Sequence, residues 1–239
     1  MTHASNVLGT ILPVDECFSI AKEYGLFTLL DAAQTLGHIP VYMNDTIDVI
    51  AFTGHKGLKG LAGSGGIVWG REAAKRVKPW KTGGTGSHSD SLSQPEFMPD
   101  KFEPGTQNIP GIIALEAAAK RIIRNGFESI MQHEQSLTRR FMEGLYGLPV
   151  KVYGTGDYKN MVPVVSITAE NIDPALLARR LYDEYGIITR SGLHCSPMAH
   201  RTAGTFPEGT VRFSFGKGNT IEEIDYSLIA IRKLLEGML

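Results

Sequence analysis

Apolar residues in this chain fall in short runs punctuated by glycine, proline and Asx residues. The run Val49-Ile50-Ala51-Phe52 lies between Asp48 and Thr53-Gly54. It is brief, partly β-branched and bounded by turn residues, so it predicts a buried strand. Leu26 to Leu30 and Gly65 to Trp69 read in the same way, and His3 to Asn6 is a further candidate strand. Pro13 and Asp15 open a helix that Gly25 ends, with Ile20 and Ala21 expected to face inward. Strand, helix, strand, connection, strand predicts a mostly parallel α/β sheet, whose ligands sit outside the carboxyl ends of its strands.

Residues 78–108 are a long connection rich in Gly, Ser and Pro, of the length that usually serves as a functional loop or lid. Helices are expected over 111–125 and 127–146, the second stopped by Gly147 and Pro149. Short strands near 150–153, 163–168, 186–190 and 210–214 then alternate with helices over 174–185 and 221–236. Asp173-Pro174 supplies a cap and a first-turn proline, and Gly186 supplies the stop. Thr220 with Glu223 has the spacing of a capping box. The expected architecture is a partial large domain over 1–144 and a smaller α+β domain over 145–239.

Composition narrows the function classes. The 239 residues are 42% hydrophobic, enough for a real core. Lys and Arg number 24 against 25 Asp and Glu, and no basic stretch alternates with aromatics, so nucleic acid is not an expected partner. No run of 18 apolar residues and no basic-then-apolar leader is present, which argues against a membrane partner or secretion. Two cysteines, Cys17 and Cys195, are too few for a disulfide scaffold and fit a reducing cytoplasm.

The chemistry gathers at strand ends. His55 and Lys56 follow the central strand at once, and glycines stand at 57, 60, 63, 65 and 66. Alone, Lys56 reads as a surface lysine. With Asn6, Asp31, Gln34, Thr53 and His55 at neighbouring strand ends it suits amine chemistry in a desolvated cleft. A carboxylate such as Asp31 keeps a pyridine nitrogen protonated, and a protonated pyridinium draws electrons from a Schiff base on a lysine, the electron sink of pyridoxal phosphate. Gln34 suits the ring's phenolic oxygen, and Thr53 and His55 suit phosphate oxygens. Arg190, Gly192, His194, Cys195 and Pro197 form a polar, punctuated loop, where arginine and histidine would favour the reactive thiolate. His194, Cys195 and His200 are only three candidate metal ligands with no second cysteine pair, so no metal is expected.

Five segments carry a resemblance. Residues 3–9 (His-Ala-Ser-Asn-Val-Leu-Gly), Asp31-Ala-Ala-Gln34, Thr53-Gly-His-Lys56, Phe102-Glu-Pro-Gly-Thr106 and Arg190-Ser-Gly-Leu-His-Cys195 resemble, in this order, the aminotransferase class V fold. Within it they resemble the cysteine desulfurases whose cysteine lies in an Arg-x-Gly-x-His-Cys motif. The likeness covers essentially the whole chain. It implies the fold type I architecture of pyridoxal-phosphate-dependent transferases and conversion of L-cysteine to L-alanine, with a persulfide left on Cys195. Sulfur would then pass to an acceptor protein, as in iron–sulfur cluster assembly.

The resemblance implies a role for each matching residue. Lys56 would bind the cofactor aldehyde covalently and shuttle protons. Asp31 would pair the pyridinium, Gln34 the phenolic oxygen, and Asn6 the ring oxygen and substrate carboxylate. Thr53 and His55 would hold the phosphate. Thr106 would reach the phosphate in a neighbouring subunit, which implies a homodimer. Cys195 would be the sulfur acceptor, with His194 and Arg190 in its motif, and Arg212 would hold the substrate carboxylate.

Relatives begin earlier, with a first strand, a glycine/threonine helix start that binds the phosphate and a ring-stacking histidine. This chain is expected to be the C-terminal part of such a protein, and His3 is not that histidine. Ser196 stands where many relatives have alanine. Two alternatives stay open: another reaction on the same fold, as in a class V aminotransferase or selenocysteine lyase, or a cofactor-free fragment that binds a partner.

Overall fold

The computed structural model describes residues 1–237. Its first sheet orders three strands β1 (Leu29–Asp31), β2 (Val49–Thr53) and β3 (Gly65–Trp69) side by side. β1 and β2 run parallel, with Asp31 beside Ala51, whereas β3 returns antiparallel to β2. The expected mostly parallel sheet is therefore mixed across its described strands, because the glycine-rich turn after Lys56 sends the chain straight back. The His3–Asn6 strand is not formed. Only isolated bridges stand there, Thr2 with Asp31 and Ala4 with Ile11. His3 N–H donates to the Asp31 carbonyl and Ser5 N–H to the Thr10 carbonyl, and residues 5–9 close a turn through Gly9 N–H to the Ser5 carbonyl.

Helix α1 (Val14–Glu23) packs on the first sheet through Val14 and Phe18, one turn apart, joining Leu30, Ile47 and Ile50. Ile20, expected inward, is 56% exposed, since the true apolar face is offset from it. β1 starts three residues later than predicted. The Leu26 N–H is tied back to Ala21 of the helix, and Thr28 is held by the Asp48 carboxylate through its backbone N–H at 2.8 Å. A short helix α2 (Arg71–Arg76) follows β3 and was not foreseen. The 78–108 connection holds no long element, only a 3-10 turn at Asp100–Phe102. There Phe102 stacks on Trp69 with ring centroids 4.4 Å apart.

Helices α3 (Ile109–Asn125) and α4 (Phe127–Leu145) lead to the second sheet. Its strands β4 (Val150–Tyr153), β5 (Val164–Ala169), β6 (Arg190–Gly192) and β7 (Thr210–Ser214) are all antiparallel, in the order β4-β5-β7-β6. One face is apolar. Val165, Ile167, Val211 and Phe213 pack there against Leu137 and Phe141 of α4, Leu177 and Leu181 of α5 (Pro174–Tyr185), and Ile231 and Leu234 of α7 (Ile221–Glu236). The caps read from the sequence are formed: Asp173 Oδ1 accepts from Ala175 and Leu176 N–H, and Thr220 and Glu223 close a reciprocal capping box. β6 begins later than the predicted 186–190, because the Ile187 N–H is bonded to Leu181 in the helix cap.

The opposite face of the second sheet is polar. Ser166, Arg212 and Arg190 stand in one row across β5, β7 and β6. Residues 7–10 lie over this face. Ser166 Oγ donates to the Val7 carbonyl at 2.5 Å, and Val162 N–H donates to the Gly9 carbonyl at 2.9 Å. Gly9 makes this approach possible: its φ is +70°, and a Cβ there would stand 2.4 Å from the Val164 carbonyl oxygen. The turn that carries Asn6 is thus fastened to the sheet that carries Arg212.

Candidate active site

A cavity of about 1030 Å³ opens between the end of the first sheet and the polar face of the second. Asn6, Gln34, His55, Lys56, Arg190, His194, Cys195 and Arg212 all line it. Eight predicted site residues, scattered over the whole chain, meet there. Lys56 comes directly off β2 through Gly54. The Gln34 loop is drawn against it by two glycines: a Cβ on Gly57 would meet the Leu36 carbonyl oxygen at 2.4 Å, and one on Gly37 the Gly57 backbone carbon at 2.4 Å.

Three predicted residues do not line the cavity. Asp31 ends β1 exposed, its Oδ1 accepting from Ala33 N–H at 2.9 Å. Thr53 Oγ1 shares a hydrogen bond of 2.8 Å with His55 Nδ1. Asp31 pairs in register with Ala51, and side chains alternate along a strand, so Asp31, Ala51 and Thr53 share one face of the first sheet. Thr106 lies exposed at the end of the long connection.

The electrostatics centre on two arginines. Arg190 and Arg212 face each other across the β6–β7 ladder, like charges with no salt bridge to any carboxylate among the described residues. Arg212 Nη1 donates to the Asn6 carbonyl at 3.0 Å, but its buried Nε finds no partner. Burial, then Arg190, pull Arg212 below the ordinary arginine value, and Cys195 opposes them. An anion between the two guanidiniums would relieve the repulsion and take the orphaned donor.

His194 departs from expectation. It is buried, with Nε2 3.1 Å from Thr210 Oγ1 and Nδ1 unpartnered. Burial first, then Arg212, His200 and Arg190, lower its pKa to about 4. At neutral pH it is uncharged, so any electrostatic support of the Cys195 thiolate comes from the arginines. The Cys195 side chain itself is exposed to the cavity.

Sequence reasoning assigned no function to His38 and passed over Glu134 and Lys59, all of which line the cavity. His38 Nδ1 donates to the buried Glu134 Oε2 at 2.8 Å, joining the loop after Gln34 to α4. Nothing local marks this pair, whose members lie 96 positions apart.

The aminotransferase class-V family profile matches residues 1–226, and the chain belongs to that family. Among its relatives are cysteine desulfurases. A probable cysteine desulfurase of Pyrococcus abyssi is 36% identical over 244 residues, covering 99% of this chain and 59% of that protein. One of Mycolicibacterium paratuberculosis is 36% identical over 240 residues, covering 99% of this chain and 34% of its own length. The apo structure of the cysteine desulfurase of Thermococcus onnurineus superposes with a TM-score of 0.90 at 36% identity, over 99% of this chain and 59% of that one. The chain thus spans between a third and three fifths of the lengths of these relatives. The shared architecture is fold type I of the pyridoxal-phosphate-dependent transferases.

Proposed function

We propose that this chain carries the thiol and amine of a cysteine desulfurase that converts L-cysteine to L-alanine and leaves a persulfide on Cys195. The observation that supports this reading most is that Lys56, Cys195 and the Arg190–Arg212 pair line one cavity. The residues present fit pyridoxal 5'-phosphate. An amine, an amide at Gln34 and a histidine at His55 line the cavity, and a carboxylate at Asp31 and a hydroxyl at Thr53 stand on one face at the adjoining strand ends. When bound, the cofactor supplies an electron sink for the bonds of the substrate's α-carbon.

The chain's own groups then have distinct work. Lys56 Nζ holds the cofactor and carries a proton to and from the substrate. Arg212 and Arg190 orient the substrate carboxylate, for which a planar guanidinium is well shaped. Cys195 Sγ accepts the substrate's sulfur atom. His194, neutral and buried against Thr210, supports the Cys195 turn from behind. In our reading Thr106 reaches the cofactor site of a second subunit, making a homodimer. The persulfide passes to a sulfur-acceptor protein in the cytoplasm, with iron–sulfur assembly as one use. We divide the chain at residues 144 and 145, with α4 lending Leu137 and Phe141 to the core of the second unit.

The test starts with the purified chain and added pyridoxal phosphate. A visible absorbance that borohydride bleaches and that Lys56→Ala abolishes supports the cofactor reading; its absence leaves a cofactor-free binding fragment. Alanine release from L-cysteine that survives unchanged in Cys195→Ala would overturn the desulfurase reading in favour of another reaction on this fold.

A further inference from the structure

The cysteine sits on a strained turn. Leu193 carbonyl accepts from Ser196 N–H at 2.8 Å, and the two residues between them, His194 and Cys195, have φ of 49° and 62°. Positive φ at both central positions is the type I′ pattern, which glycine and asparagine normally fill. Side chains with a Cβ are disfavoured there, so something outside the turn must hold it.

Asn6 touches the turn on both sides. Its Nδ2 donates to the His194 carbonyl at 2.6 Å, and its Oδ1 accepts from Ser196 Oγ at 2.7 Å. Both contacts cross most of the chain's length, and the Asn6 backbone is pinned in turn by Arg212. Ser196 occupies the N-cap position of the short helix α6 (Pro197–Ala203), where serine ordinarily caps its own helix. It makes no such bond, because the hydroxyl is turned to Asn6.

We infer that Asn6 and Ser196 form a clamp that holds Cys195 in its left-handed turn and so positions the thiol over the cavity; this rests on the desulfurase reading only for its effect on rate. Asn6 had been expected to serve the cofactor ring and the substrate carboxylate. An amide has two N–H groups and two lone pairs, so one N–H and one lone pair remain for a ligand while the clamp is closed. Ser196 is a positioning residue that acts through Asn6, so it can be replaced without removing the Asn6 amide itself.

Ser196→Ala and Ser196→Thr separate the clamp from simple packing. Hydrogen exchange is followed in the segment 190–199 of the chain without added cofactor. Loss of one hydrogen bond predicts faster exchange in Ser196→Ala, by roughly fivefold, and near-native exchange in Ser196→Thr, which keeps the hydroxyl. In the loaded protein, kcat for alanine release should fall by about the same factor in Ser196→Ala, with KM for L-cysteine unchanged and the rate recovered in Ser196→Thr. Unchanged exchange in Ser196→Ala overturns the clamp whatever the protein's activity. Faster exchange with an unchanged kcat overturns its positioning role. If the native chain releases no alanine, the desulfurase reading fails, and the exchange result decides the clamp by itself.

Discussion

The two sheets solve the burial problem differently. The second has one apolar face sealed by three helices, and its other face is polar and roofed by residues 7–10. The first is packed on one side by α1, through Val14 and Phe18, with Val68 at its β3 edge still 44% exposed, and it leaves Leu29 43% and Ile67 53% exposed on its other side. Cys195 and both arginines stand on or beside the closed sheet, whereas Lys56 leaves the open one. The well-packed half therefore carries the groups whose geometry must be held against repulsion and strain. The amine needs only the close backbone approach at Gly37 and Gly57.

The sharpest way to break this contrast is to hollow the closed core. Phe141 is fully buried, with its ring 4.6 Å from Phe213 and 5.1 Å from Phe215. Phe141→Ala should cost about 3–5 kcal/mol in a urea melt, by lost burial and a residual cavity. A cost near 1 kcal/mol would show that the second core is looser than its packing indicates.

Acid tests the polar side of the same sheet. His194 titrates near 4 in the fold against about 6.5 when unfolded. Above pH 6.5 both states leave it neutral, and its native setting costs nothing. Between 6.5 and 4 the unfolded chain takes up a proton that the native one refuses, so stability falls as pH drops. The full loss is roughly 3 kcal/mol, complete below about pH 4. His200 and His3, also lowered by burial, act in the same direction. Urea melts at pH 7.5 and 4.5 should show a shallower pH dependence in His194→Gln; an equal dependence would place the titration elsewhere.

How much of this was legible follows from range. Asp173 and Thr220 act within three residues of themselves, and both caps were readable from the sequence. Lys56, Cys195 and Arg212, each ordinary as a single residue type, were singled out by the motifs around them, and they line one cavity. What escaped was set at distance or by a neighbour's claim on a backbone group. β1 and β6 start late because helix ends had already taken the Leu26 and Ile187 amides. The neutrality of His194 comes first from its burial and then from Arg212, His200 and Arg190 around it, all set by distant parts of the chain. The Asn6–Ser196 contact joins residues at opposite ends of the chain, and no local pattern encodes it.

A smaller effect sharpens the comparison from the sealed side. Asp173→Ala removes the acceptor for two amides at the start of α5 and should cost about 1 kcal/mol, typical of a lost N-cap. Asp173→Ser should recover most of it, since serine caps nearly as well. Equal melts for all three would mean that α5 is held by Leu177 and Leu181 alone.

The smallest expected change probes the open sheet. Ile67 stands beside Ala51 in the ladder, on the face that also bears Asp31. Ile67→Thr keeps a β-branched side chain suited to a strand and removes apolar surface already in contact with water, so its cost should be within about 0.5 kcal/mol. The measurement is a urea melt repeated across a wide range of protein concentration. A cost above about 1 kcal/mol that is independent of concentration would mean that the chain itself covers this face in solution. A cost that grows with concentration would mean that a second copy covers it, because only association makes apparent stability depend on the amount of protein. Either result would erase the contrast between an open and a sealed sheet. A near-zero cost at every concentration would keep it, with Asp31 standing beside an apolar, uncovered surface.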